Sequence, residues 1–281
     1  MKLSMWSSFY RELSPYDMIL ELEKAGYHYT ELSTEHADML LAEGDAIEVG
    51  KKFGEFAKAH NVEVSQGHLL LGVKICDEGS FDVLKTWIDL FLAIGIKNAV
   101  LHCQNLHEKG LTQEDIKEKN KKALIRLTDY IKGKPITICL ENLRSGIAMQ
   151  NETEERYEYH QSADEFLWYI NEIGSDNLGI CLDTGHLNIS KASSQREFIL
   201  TAGKYLKALH IADNLGEADL HMMPFSNGSV NIAEVVEALN EIGYDGLYNM
   251  ELGGERKCSP KVKEFKLEYL KKCFATLGKI E

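Results

Sequence analysis

Short apolar and β-branched runs alternate with longer stretches of helical periodicity from one end of the chain to the other. Runs at 2–6, 27–32, 62–68, 97–102, 135–141, 178–183, 205–211 and 245–251 have the length of strands, and most lack the polar alternation of a half-exposed sheet. Between them, amphipathic stretches at 15–24, 45–60, 81–95, 112–132, 162–173, 194–203, 231–242 and 260–277 predict helices. Each interval holds one strand, one loop and one helix. Eight such units in a chain of 281 residues predict an α/β architecture: a closed parallel (β/α)8 barrel, the TIM barrel, as a single domain over 1–281. An open doubly wound sheet asks for a glycine-rich turn after its first strand, where this chain has Trp6-Ser7-Ser8-Phe9.

Composition narrows the classes. The chain is 44% hydrophobic and 27% charged, which fits a globular protein and not a disordered one. Its net charge of −13 disfavours a phosphate-binding surface, so neither nucleic acid nor a membrane is expected as partner. Six cysteines without a C-x-x-C pair read as reduced, with Cys139 and Cys181 inside apolar runs as core fillers. No apolar stretch reaches membrane-span length and the first residues make no signal segment, so the expected compartment is the cytoplasm.

In such a barrel the chemistry collects at the carboxyl ends of the strands. Strands three to eight are expected to finish in His68, His102, Glu141, Asp183, His210 and Glu251. All six are acid/base or metal-ligand types, although His, Asp and Glu make up only about a fifth of the chain. Three carboxylates projected into one mouth repel one another unless protons or a divalent cation neutralise them. Glu141, Asp183, His210 and Glu251 therefore predict a site for one divalent ion, manganese or zinc by donor type, with no organic cofactor.

Ile180-Cys181-Leu182-Asp183-Thr184-Gly185-His186, His210-Ile211-Ala212-Asp213-Asn214 and Asp219-Leu220-His221-Met222-Met223-Pro224, with Glu141-Asn142 and Glu251, resemble the xylose-isomerase-like barrel superfamily. That superfamily joins sugar phosphate isomerases and epimerases to endonuclease IV. The resemblance to its ketose 3-epimerases implies one metal held by Glu141, Asp183, His210 and Glu251, and a substrate contact from His186. The resemblance to endonuclease IV implies a trinuclear zinc site, for whose nine ligands His68, His102, Glu141, Asp183, His186, His210, Asp219, His221 and Glu251 are candidates. The Arg that ketose epimerases carry beyond the strand-seven His is absent from Asp213-Asn214-Leu215-Gly216, and Leu220 stands where endonuclease IV has an Arg. The superfamily's P-G-x-G-x-I-D turn appears as Pro224 through Asn231 with an added residue and no acid.

The expected activity is a metal-dependent isomerase or epimerase of a sugar or sugar phosphate, working through an enediolate with Glu141 and Glu251 as the acid/base pair. An endonuclease IV-like phosphodiesterase, or a dehydratase or lyase acting on a sugar-derived substrate, is the alternative. His186, His102, His221 and His68, with Trp6 and Arg144, are the expected substrate contacts. Trp6 and Phe9 are each open to a second reading as barrel packing. The stretch 142–161 is expected to be a lid or substrate loop, and His28, His36, His60, His107 and His160 are given no role. A homo-oligomer is compatible with this reading.

Overall fold

The apolar runs become eight strands: β1 (Lys2–Trp6), β2 (Tyr29–Leu32), β3 (Glu63–His68), β4 (Asn98–His102), β5 (Thr137–Glu141), β6 (Leu178–Asp183), β7 (Leu206–His210) and β8 (Leu247–Met250). They form one sheet in the order β7-β6-β5-β4-β3-β2-β1-β8, and every strand pairing is parallel. Beyond β7, a parallel bridge from Ile211 to Met250 joins the two edges and closes the barrel. The structure is a computed structural model that describes residues 1–106, 111–144, 159–254, 259–278 and 280. Part of the expected lid, 145–158, lies outside the described residues, as do His107 and Cys258.

Ten α-helices are found among the described residues: α1 (Pro15–Lys24), α2 (Thr34–Leu41), α3 (Ala46–Ala59), α4 (Ser80–Ile94), α5 (Gln113–Ile131), α6 (Ala163–Ile173), α7 (Thr184–Ser190), α8 (Gln195–Ala202), α9 (Ile232–Glu241) and α10 (Pro260–Ala275). Eight match the periodic stretches. Their starts are set by local chemistry: Ser14 accepts the Asp17 amide ahead of α1, and Thr112 and Asp115 form a reciprocal cap on α5. The sequence reading did not anticipate α2 and α7, which start within two residues of a strand end, where a loop was expected. His36, expected in a loop or at a helix end, is buried in the first turn of α2, with Nδ1 2.8 Å from the Ser7 hydroxyl. Phe9 is core packing, edge-on to Tyr10.

Alternation along each strand sends every second side chain into the barrel. Just below the strand ends the interior divides. On one side Val100, Cys139, Cys181 and Ala208 form a small apolar cluster of their own, which confirms both cysteines as fillers. On the other side the layer is polar: Ser4, Glu31, Gln66 and Asn249 are buried and joined by hydrogen bonds. No helix among the described residues is long and apolar enough to cross a membrane.

Candidate metal centre and its surroundings

Two residues above the apolar cluster, Glu141, Asp183 and His210 occupy the last positions of β5, β6 and β7. Glu251 was expected to close β8 but lies one residue past it, held in line because its amide donates to the Ile211 carbonyl at 3.0 Å. Each of the four offers one ligand atom such that all lie within 4.8 Å of one another, and all four residues are buried. His68, His102 and Glu141 form a second such group.

Burial alone opposes ionisation of Glu141, but His210, His102 and His186 outweigh it and hold the carboxyl well below the usual range. One of its oxygens is 2.8 Å from His102 Nε2 and 3.2 Å from His68 Nε2; the other is 3.1 Å from His210 Nδ1. Glu251 goes the other way, raised by burial and then by the Asp183 and Glu141 carboxylates despite the pull of His210 and His221. Burial pulls His210 down, but the surrounding acids, Glu251, Glu31 and Glu141 among them, carry it well above an ordinary imidazole.

Asp183 divides its two oxygens. Oδ1 caps α7 by accepting the His186 amide at 2.7 Å, and Oδ2 is buried with no hydrogen-bond partner among the described residues. Glu251 Oε2 is also buried without one. Two orphaned carboxylate oxygens facing one cluster of acids and an imidazole are costly as they stand. They suit a divalent cation bound by three carboxylates and a histidine, so the donor set fits the expected ion.

The outer histidines share one arrangement. His68 donates from Nδ1 to the Leu69 carbonyl at 2.6 Å, His186 to that of Asn142 at 2.9 Å, and His221 to that of Glu251 at 2.8 Å. With Nδ1 so committed, each ring turns Nε2 toward a carboxylate: Glu141 for His68, Asp219 for His186 and His221, each at 3.2 Å. A neutral ring in that pose faces an acid with a lone pair, so either a second proton or a cation belongs between them. In the protonated case His221 is raised to about 10, because Asp219 and Glu251 outweigh burial.

Trp6 stacks on His221 at 5.9 Å, and its Nε1 is buried without a partner among the described residues. His102, Asp219 and His221 remain partly exposed and mark the open side. His68, His102, His186 and His221 lie around the four-residue cluster, with Trp6 stacked on the last of them, whereas Arg144 is exposed at the edge of the described residues. Asp213 accepts the Asn214 and Val230 amides and shapes the loop after β7. Gly228 lies so close that a Cβ there would be 2.0 Å from the Asp213 Cγ, which is why the turn needs glycine. Sequence reasoning missed Glu31, the penultimate residue of β2, which reaches across the barrel to His210. The available signal was the alternation itself, since an acid next to the last residue of a barrel strand can face inward.

A family model described as xylose isomerase-like TIM barrel matches residues 19–273. An uncharacterised protein of Methanocaldococcus jannaschii, MJ1311, is 32% identical over 159 residues, covering 56% of this chain and 50% of that protein. The ketose 3-epimerase of Arthrobacter globiformis is 35% identical over 103 residues, covering 36% of this chain and 33% of the enzyme. The matches thus span half the length of these curated relatives or less. The crystal structure of a D-tagatose 3-epimerase-like protein superposes with a TM-score of 0.74 at 21% identity, covering 98% of this chain and 100% of that one. The chain belongs to the xylose isomerase-like TIM-barrel family.

Proposed function

We propose that this member of the family is a divalent-metal-dependent epimerase of a sugar carrying a ketone, with Glu141 and Glu251 moving the proton at the carbon next to the carbonyl. The observation that carries the reading is the cluster of Glu141, Asp183, His210 and Glu251. Similarity to ketose 3-epimerases supports the choice of substrate class. A cation held by these four residues would supply Lewis-acid polarisation of the carbonyl and so lower the cost of an enediolate. The protein supplies the rest. Glu141 comes from β5 and Glu251 from the end of β8, three strands apart around the ring, so the two carboxyls reach a substrate from different sides. One takes the carbon-bound proton and the other returns one to the opposite face. On this reading His186 and His102 contact substrate hydroxyls, and the stacked Trp6 and His221 form a wall on which a sugar face can lie.

The test is reaction in D2O with a panel of ketoses and ketose phosphates. Deuterium is expected on the carbon next to the carbonyl, because a carboxylate proton exchanges with solvent before it returns. Glu251→Gln keeps an oxygen for the metal but cannot take the proton, so turnover should fall by roughly 10²–10⁴. Full activity of that variant would overturn the two-glutamate mechanism.

A second reading, a phosphodiesterase with three metals, has a specific observation behind it. His68, His102 and Glu141 form a second ligand-competent group, and Asp219 lies between His186 and His221. Elemental analysis of protein purified without chelator separates the two: about one ion per chain supports the epimerase, and about three of zinc with cleavage of abasic duplex DNA supports the phosphodiesterase.

A further inference from the structure

Glu31 is completely buried, and the hydrogen bonds around it come from donors alone. Its Oε2 receives Gln66 Nε2 at 2.5 Å and Asn249 Nδ2 at 2.6 Å, and its two oxygens lie 3.0 and 2.9 Å from His210 Nε2. The neighbours fix which way the Gln66 amide points. Asn249 turns Oδ1 to the Ser4 hydroxyl at 2.8 Å and Nδ2 to Glu31. Gln66 Nε2 also donates to the Leu209 carbonyl at 3.3 Å, so that atom must be the nitrogen. Oε2 thus accepts both amides and both oxygens face His210 Nε2, an arrangement that a carboxylate provides and an amide, with one acceptor oxygen, does not.

A buried carboxylate with no Lys or Arg among its hydrogen-bond partners is expensive, and an apolar residue would fill the space at lower cost. What it accomplishes is seen at His210. The other ring nitrogen, Nδ1, faces the cluster, 3.1 Å from a Glu141 oxygen and 3.5 Å from Glu251 Oε2. An imidazole can hold a cation only through an unprotonated nitrogen. An acceptor-only group at Nε2 keeps the ring proton there and leaves the Nδ1 lone pair for the cluster.

We propose that Glu31 is the positioning residue of the metal centre: through its hydrogen bond to Nε2 it sets the tautomer and ring orientation with which His210 presents Nδ1 to the ion. Ser4, Asn249 and Gln66 hold Glu31 in turn, so the polar side of the barrel interior is the support of one ligand. This rests on the metal reading above and adds a residue to it.

The experiment uses the full chain, stripped of metal and titrated with Zn²⁺ and Mn²⁺ against a chromophoric chelator. Alongside, long-range ¹H–¹⁵N spectra of zinc-loaded protein labelled in histidine identify which His210 nitrogen carries the proton. Expected are a proton on Nε2, zinc on Nδ1, and metal affinity roughly 10–100-fold weaker in Glu31→Gln, with Glu31→Asp in between. A residue that merely stabilised the fold would lower the unfolding midpoint and leave the nitrogen assignment and the affinity alone. Zinc on Nε2 in the wild type, or an affinity in Glu31→Gln within about threefold of wild type, overturns the assignment of Glu31. If Asp183→Asn abolishes binding in the same series, the metal centre itself survives that result. A wild-type chain that binds neither ion overturns both. Should Glu31→Gln fail to fold, the wild-type nitrogen assignment still decides.

Discussion

Lowering the pH should destabilise this protein through one buried histidine outside the cluster. His160 donates from Nδ1 to Asn105 Oδ1 at 3.0 Å and accepts the Tyr169 hydroxyl on Nε2 at 3.0 Å, which defines a neutral ring. Burial, with a smaller push from Lys117, lowers it from 6.5 to about 3. The unfolded chain therefore takes up a proton below about 6.5 that the folded chain refuses until about 3. Stability from this group is complete above the unfolded value and is lost progressively as pH falls toward the folded one. At pH 5 the loss amounts to about 2 kcal/mol, from 1.36 kcal/mol for each of roughly 1.5 units. The backbone of His160 is also a junction: its carbonyl accepts the Leu143 amide at 2.7 Å, and its amide donates to Glu165 at 3.1 Å. It thereby ties the segment after Glu141 to α6. Urea unfolding of wild type and His160→Gln at pH 7.5 and pH 5.0 provides the assay. The variant should be less stable at pH 7.5 and should lack about 2 kcal/mol of the wild type's acid loss. The cluster histidines titrate in both proteins and cancel in the comparison. Equal pH dependence in the two would refute the reasoning.

Asp183→Asn should keep its fold by circular dichroism, because asparagine can still cap α7 with one oxygen, while elemental analysis shows bound metal largely lost. Unchanged metal content would mean that the ligand set is wrong. Gly228→Ala forces a Cβ against the Asp213 carboxylate, so it should cost about 1–3 kcal/mol in thermal unfolding. An unshifted midpoint would show that the loop after β7 yields freely.

Much of the barrel was legible in the sequence because its strands are buried on both faces and read as unbroken apolar runs. Strand ends were legible too, which is how Glu141, Asp183 and His210 came forward together. Glu251 was found although its strand stops a residue earlier, since chain direction carries on past the last ladder bond. Glu31 was hidden because β2 ends in the apolar Leu32, while the inward position is the one before it. His160 was hidden for another reason. Its partners Asn105 and Tyr169 lie on separate segments, and nothing local in the sequence distinguishes a buried neutral imidazole from one in a solvated loop. Helices α2 and α7 escaped because each shares its interval between strands with a second helix, α3 or α8, whose periodicity already filled a unit of one strand and one helix.

The closure of the barrel between β7 and β8 has a dynamic consequence. Elsewhere neighbouring strands are paired over two to five residues, two between β1 and β2 and five between β4 and β5, whereas this seam is spanned by the Ile211–Met250 bridge and the two amide bonds beside it. The ring is a hoop whose clasp lies next to its working parts, with His210 on one lip and Glu251 on the other. Breathing of the hoop should begin there, so the amides of Ile211 and Glu251 should exchange with solvent earlier than those in the middle of β5. Anything bound by both residues would act as a rivet across the opening and slow that exchange.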